Sequence, residues 1–169
     1  MAWKSAEFGE KGGIVEGIHK ASPALRLNAE RCFIDTLDLT FYPKSRLLKL
    51  TGDGVPHPPL WYVQLPQAVV PMDGSFTSIS NCNAAAPLVL NDATVYAYVK
   101  FRYFFAGETR VFEASIKRSP VGYTGKIWLY QKKTFYEMDV NISARGVVTE
   151  LEKNTVPDVP DFEADEFGL

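Results

Sequence analysis

The stretch TVYAYVKFRYFFAGETRVFEASIKR, from Thr94 to Arg118, decides how the fold is read. Two segments of alternating apolar and polar side chains flank Ala106-Gly107, and that alternation is the period of a half-buried strand. Closing a β-hairpin between Phe105 and Glu108 sets Phe101 against Phe112, Val99 against Ala114 and Ala97 against Ile116 on one apolar face. The same register sets Lys100 opposite Glu113 and Tyr96 opposite Lys117 on the other face. Such an opposite-charge pair and aromatic–cation pair contribute about 0.2 to 1 kcal/mol each. A slip of one residue would mix the faces.

The pattern recurs on both sides. Downstream, a turn at Gln131-Lys132-Lys133-Thr134 places Ile127 opposite Met138 and Leu129 opposite Tyr136, with Lys126 opposite Asp139 and Trp128 opposite Glu137 on the outer side. Ala144-Arg145-Gly146 permits a further turn, and Val147 to Leu151 makes a last strand. Upstream, Phe33, Leu37, Leu39 and Phe41 share one face while Thr36, Asp38 and Thr40 share the other. Pro43 suits a turn at Tyr42-Pro43-Lys44-Ser45, which pairs Leu39 with Leu48 and Leu37 with Leu50. Gly52 to Pro59 holds three prolines and two glycines and reads as a loop. Leu60 to Leu65, Ser75 to Ser80 and Pro87 to Leu90 read as short strands. No window of 11 residues or more carries helical periodicity.

The expected fold is therefore all-β, an antiparallel β-sandwich, with a closed up-and-down β-barrel as the alternative. Residues 1–30, with Gly9, Gly12, Gly13 and Gly17, read as an irregular N-terminal arm or one edge strand. Residues 31–151 read as the antiparallel β domain and 152–169 as an acidic, extended C-terminal tail. From Glu150 to Leu169 seven acidic residues face one basic residue, Lys153, so this segment carries −6 and the rest of the chain +4. Pro157 and Pro160 bar helix and central strand there. The tail reads either as a solvated terminus or as an arm anchored by Phe162 and Phe167 on the body or on a neighbouring subunit.

At 169 residues, 46% hydrophobic and 22% charged, the chain is too apolar for intrinsic disorder. Its net charge of −2 disfavours a general nucleic-acid binder. No apolar run reaches the roughly 20 residues that span a bilayer, and the first ten residues lack the charged and apolar regions of a signal peptide. A cytoplasmic, non-membrane protein is the expectation. Cys32 and Cys82 are expected as free buried thiols.

Catalytic signatures are missing from the sequence: no G-x-S-x-G elbow, phosphate-cradling glycine loop, dinucleotide fingerprint or spaced metal ligands occur. No cofactor, metal or catalytic residue is assigned. Asp53 and His57, in the stiff Pro56-His57-Pro58-Pro59 loop, form a candidate loop site. Cys82 with His57 is a conceivable nucleophile pair, and Asp35 is flagged as an inward carboxylate. The main candidate surface is the outer face of the long hairpin: Tyr96, Tyr98, Lys100, Arg102 and Phe104, with Trp128 and Tyr130 from the next. Exposed aromatics interleaved with cations suit binding surfaces, unless both faces are covered and this stripe is core. The functional expectation is a noncatalytic binding or interaction module that self-associates or takes a protein partner. The alternative is a small barrel holding a hydrophobic small molecule, as carrier, lyase or isomerase, in an enclosed pocket lined by residues such as Phe101, Phe112, Leu129 and Tyr136; a carbohydrate is a further candidate ligand, since exposed aromatics can stack on sugars.

Overall fold

Two antiparallel sheets hold most of the regular secondary structure in the computed structural model, which describes residues 2–55, 59–105 and 109–157. The antiparallel, two-sheet all-β expectation holds, and neither sheet closes into a barrel. The chain divides into two units, Met1–Pro87 and Leu88–Leu169, so a break falls within the stretch expected to be one β domain.

The first unit contains β1 (Lys4–Ser5), α1 (Phe8–Ala21), β2 (Cys32–Asp38), β3 (Arg46–Gly52), β4 (Leu60–Gln64), β5 (Val69–Pro71) and α2 (Phe76–Ala85). Its strands lie in sequence order across one sheet. The irregular N-terminal arm is thus corrected: residues 8–21 are helical. Four glycines give α1 poor intrinsic propensity, about 1 kcal/mol each relative to alanine. Burial overrides it. Ile14, Val15 and Ile18 pack with Ala6, Cys32, Ile34, Leu48, Leu50 and Tyr62, and each fully buried aliphatic contributes about 1.5 to 3 kcal/mol. Gly17 is needed by that packing, since a Cβ there would lie 2.8 Å from Val69 Cγ2.

The β2–β3 hairpin forms, but three residues out of the expected register: Leu37 pairs with Leu47, Thr36 with Leu48 and Ile34 with Leu50. The connection is wider than a tight turn because Phe41 and Tyr42 are both fully buried. Leu39 N–H donates to Ser45 O at 3.0 Å, and Lys44 adopts φ 60 to close the loop. Consequently Cys32, Ile34 and Thr36 face the core while Phe33 is 67% exposed. Asp35 shares Phe33's side of the strand, half-buried, and accepts from Ser5 Oγ at 2.9 Å. It is not an inward carboxylate.

Ser75 to Ser80, expected as a strand, instead starts α2. Ser75 is the N-cap, its Oγ accepting from Ser78 N–H at 3.3 Å. Asp73 Oδ1 accepts from Ser75 Oγ at 2.6 Å, Ser78 Oγ at 2.5 Å and Ser75 N–H at 3.0 Å. These bonds, led by that from Ser75 Oγ, hold the Asp73 carboxyl down to about 2. A carboxyl whose folded value lies below its unfolded one stabilises the fold fully above about pH 4, and that contribution fades as pH falls towards 2. Asp73→Ala should therefore lower stability by about 1 kcal/mol at pH 7. Urea unfolding at pH 7 and at stepped values below 4 should show the gap between variant and parent narrowing; a gap that stays constant would refute the assignment.

The second unit contains α3 (Val95–Phe104), β6 (Arg110–Ser119), β7 (Gly122–Gln131), β8 (Thr134–Ser143) and β9 (Val148–Thr155), with the strands again in sequence order. The long hairpin is the main correction. Its first arm is the helix α3, and the second arm, β6, pairs with β7, setting Ala114 opposite Ile127 and Ser115 opposite Lys126. Neither Lys100–Glu113 nor Tyr96–Lys117 is a cross-strand pair, and the expected closure at 106–108 lies outside the described residues. The helix prevails because Val95, Tyr98 and Val99 bury together at i, i+3 and i+4. Asn91 Oδ1 accepts from Ala93 N–H and Thr94 N–H at 2.9 and 3.1 Å, turning the chain into it. Pro87 to Leu90 forms no strand.

The β7–β8 hairpin matches expectation residue for residue, with Ile127 opposite Met138, Leu129 opposite Tyr136, Lys126 opposite Asp139 and Trp128 opposite Glu137. The turn after it closes with Gly146 at φ 76. The last strand runs on to Thr155, so pairing reaches into the segment expected as tail. No helix among the described residues is long and apolar enough to cross a membrane.

Candidate functional site

Helical geometry breaks up the expected aromatic stripe. Tyr98 is fully buried and its hydroxyl donates to Gly146 O at 2.7 Å. Tyr96 and Lys100, one turn apart, share a half-buried face with Lys100 Nζ 5.2 Å from the Tyr96 ring centroid. Burial lowers the Lys100 pKa and raises that of Tyr96, with Glu113 adding to the latter. Arg102 and Phe104 are half-buried elsewhere on α3. Tyr103, on the next turn, donates to Glu150 Oε1 at 3.0 Å, and burial with that carboxylate drives its hydroxyl well above the phenol range.

Four aromatics converge beside α3 at one end of the sheet. A bulge in β6 shifts the β6–β7 register between Val111 and Glu113, at Phe112, a device that re-aims a side chain. Phe112 packs edge-on against Phe135 at 5.4 Å, Phe135 lies tilted against Tyr130 at 4.8 Å, and Tyr96 hydroxyl donates to Phe112 O at 3.2 Å. Of the expected surface, Tyr130 lies in this cluster and Tyr96 reaches it through its hydroxyl, with Lys100 over the Tyr96 ring. Trp128 lies one step along the same side of β7 as Tyr130, between Glu113 and Glu137 in register. Beside it Lys126 contacts Glu137 and lies 3.9 Å from Asp139, which neutralises that stretch.

Beyond the aromatics the sheet ends in cations. Arg110 pairs in register with Tyr130, Lys132 and Lys133 form the two-residue β7–β8 turn, and Lys153 bonds Gln131 Oε1 at 2.9 Å while its Nζ lies 4.0 Å from the Tyr136 ring centroid. Among the described residues no carboxylate lies within ion-pair distance of Arg110, Lys132 or Lys133. Both turn lysines hold left-handed backbone, at φ 49 and 64. A two-residue hairpin wants that sign twice, which Asn-Gly provides cheaply; each lysine costs roughly 1 to 2 kcal/mol. Strained backbone retained at a tip is a pointer to function.

Sequence reading did not single out Arg110, Lys132, Lys133 or Phe135, and named Phe112 only as lining an enclosed pocket. The available signal was a hairpin closed by Lys-Lys where turn chemistry favours Asn-Gly.

The other candidates separate. Asp53 sits in the exposed turn after β3, its N–H donating to Arg31 O at 3.3 Å; His57 lies outside the described residues, as do Phe162 and Phe167. Cys32 and Cys82 are free and buried. Burial pushes the Cys82 thiol up to about 12 and raises that of Cys32 too, whereas a nucleophilic cysteine needs the opposite shift. Among the described residues no cluster of three His, Cys, Asp or Glu could hold a metal ion. A cavity of about 610 Å³ opens at the β2–β3 turn, bordered by Asp38, Thr40, Lys44, Arg46 and Gln64. Arg46 is tied there to Gln64 Oε1 at 2.9 Å and Glu10 Oε1 at 3.4 Å. Phe101 and Leu129, expected to line an enclosed pocket, are buried to 0% and 1% exposure. No family model, curated protein or solved structure matches the chain.

Proposed function

We propose that the chain is a noncatalytic interaction module whose binding site is the basic aromatic tip of the second sheet, formed by Arg110, Phe112, Tyr130, Lys132, Lys133 and Phe135. Its ligand is an acidic protein segment that carries an aromatic side chain. The observation that carries this reading is the strained lysine pair, without a carboxylate partner among the described residues, beside half-buried rings. Rings of this kind offer area that buries at small entropic cost. The cations select acidic partners and speed the encounter. A second copy of the chain qualifies as partner, because its last twelve residues hold five carboxylates and two phenylalanines.

The test is fluorescence anisotropy of a labelled 12-residue peptide, rich in Asp and Glu, with one Phe and no sequence in common with the chain. It is titrated with the full chain and with a chain ended after Pro157. Saturable binding should weaken about tenfold or more in Lys132→Glu/Lys133→Glu, roughly 1.4 kcal/mol or more, and should also weaken on replacing the peptide's Phe with Ala. Arg26→Glu, in the first unit, should change nothing. Absence of binding by both the full and the shortened chain at about 1 mM, or equal loss in both variants, would sink the reading.

A further inference from the structure

The path of the chain points to an occupant for this site. Strand β9 runs antiparallel to β8 and so leaves the sheet at the end where the Lys132–Lys133 turn lies; Thr155 pairs with Tyr136, and Val156 N–H donates to Phe135 O at 3.0 Å. The last backbone bond of the described chain is thus made to an aromatic of the tip itself. Residues 158–169 follow, with Asp158, Asp161, Glu163, Asp165 and Glu166 and no basic residue.

We propose, resting on the reading of the tip as a binding site, that residues 158–169 occupy it in cis as a built-in competitor that an outside partner must displace. Reach, charge and stiffness agree. Phe162 is six residues past Val156, a span of at most about 20 Å when extended, enough to lay its ring on the Phe112, Phe135 and Tyr130 cluster. Asp158 and Asp161 precede Phe162 in the sequence, and Lys132, Lys133 and Arg110 have no carboxylate within ion-pair distance among the described residues. The sequence places Pro157 and Pro160 in this stretch, and a proline's fixed φ reduces the entropy lost on docking. Tethering raises the local concentration of the segment to the millimolar range, so even weak contacts keep it in place. The strand before it supports the same role. In β9 every residue after Val148 is exposed, and Glu150, Glu152 and Lys153 with a bulge opposite Asp139 and Val140 discourage edge pairing by another sheet. That leaves the tip, rather than the edge, as the contact surface.

The experiment compares three proteins: the full chain, the chain ended after Pro157, and the full-length Phe162→Ala/Phe167→Ala variant. Each is titrated into two labelled peptides, one with the sequence of residues 156–169 and the unrelated acidic Phe peptide described above. Ending the chain after Pro157 leaves β9 and its bond to Phe135 intact. The shortened chain should bind both peptides at least tenfold more tightly than the full chain. The double alanine variant should recover most of that gain, and Lys132→Glu/Lys133→Glu in the shortened chain should remove it. Equal affinities of full and shortened chains for the unrelated peptide would overturn occupancy by the tail while leaving the tip a binding site. Failure of both peptides on the shortened chain would remove the site itself. Native mass spectrometry separates cis from trans: dimers that vanish on shortening would place the tail on a second copy and overturn the cis arrangement.

Discussion

Tyr98→Ala should lower the stability of the protein by about 3 to 5 kcal/mol, the range for emptying a buried aromatic site. The ring is fully buried on α3 beside Val95 and Val99, and its hydroxyl is the bond that ties the helix to the turn before β9 through Gly146 O. Gly146 is shaped for that approach: a Cβ there would sit 2.4 Å from the Tyr98 hydroxyl oxygen and 2.5 Å from Leu88 Cδ2. Tyr98→Phe keeps the ring and loses only the bond, so it should cost about 1 to 1.5 kcal/mol. Urea unfolding followed by circular dichroism separates the two variants. A surface tyrosine on a β-hairpin would behave differently, with both substitutions within about 0.5 kcal/mol of the parent. That outcome would restore the hairpin reading of residues 94–105 and remove the helix.

The misreading of this segment has a physical origin. Valine, tyrosine and phenylalanine favour strands, and tyrosine can be counted as polar or apolar because its ring buries while its hydroxyl seeks a partner. With Tyr96 and Tyr98 counted as polar the segment alternates; with Tyr98 counted as core it shows the spacing of 95, 98 and 99. Only the helix gives the Tyr98 hydroxyl its acceptor, which belongs to Gly146, 48 residues away. Likewise the glycines of α1 hide a helix whose stability comes from contacts with the sheet, and the slipped β2–β3 register depends on the burial of Phe41 and Tyr42 within the turn. The β7–β8 hairpin was fully legible because its alternation is clean and its turn has the minimum length. Of the candidate site, Tyr130 could be named from pattern alone, along with its neighbour Tyr96 on α3. The cations could not, since their meaning depends on the sign of φ at Lys132 and Lys133 and on where β9 ends.

Gly125 carries the same lesson into the partner strand. Gly125→Ala should destabilise the protein by about 3 kcal/mol or more, at the upper end of overpacking effects. A Cβ at this position would lie 2.1 Å from Ser115 O and 2.8 Å from Ile116 Cα. These are backbone atoms of β6, so no side-chain rotation relieves the clash and β6 must move away from β7. Glycine inside a strand marks such a close approach. The matching control is Gly12→Ala in α1, where an added Cβ meets nothing within 4 Å and the same methyl group should stabilise by up to about 1 kcal/mol. Opposite signs from one chemical change, read by urea unfolding, would establish that β6 is partnered by β7. A mild effect at Gly125 would mean that β6 is free to pair elsewhere, and the bulge that aims Phe112 at Phe135 would lose its basis. The proposed binding tip therefore depends on a hydrogen atom at position 125 as directly as on its lysines: without close β6–β7 pairing, Arg110 and Phe112 are not brought beside Tyr130 and Phe135.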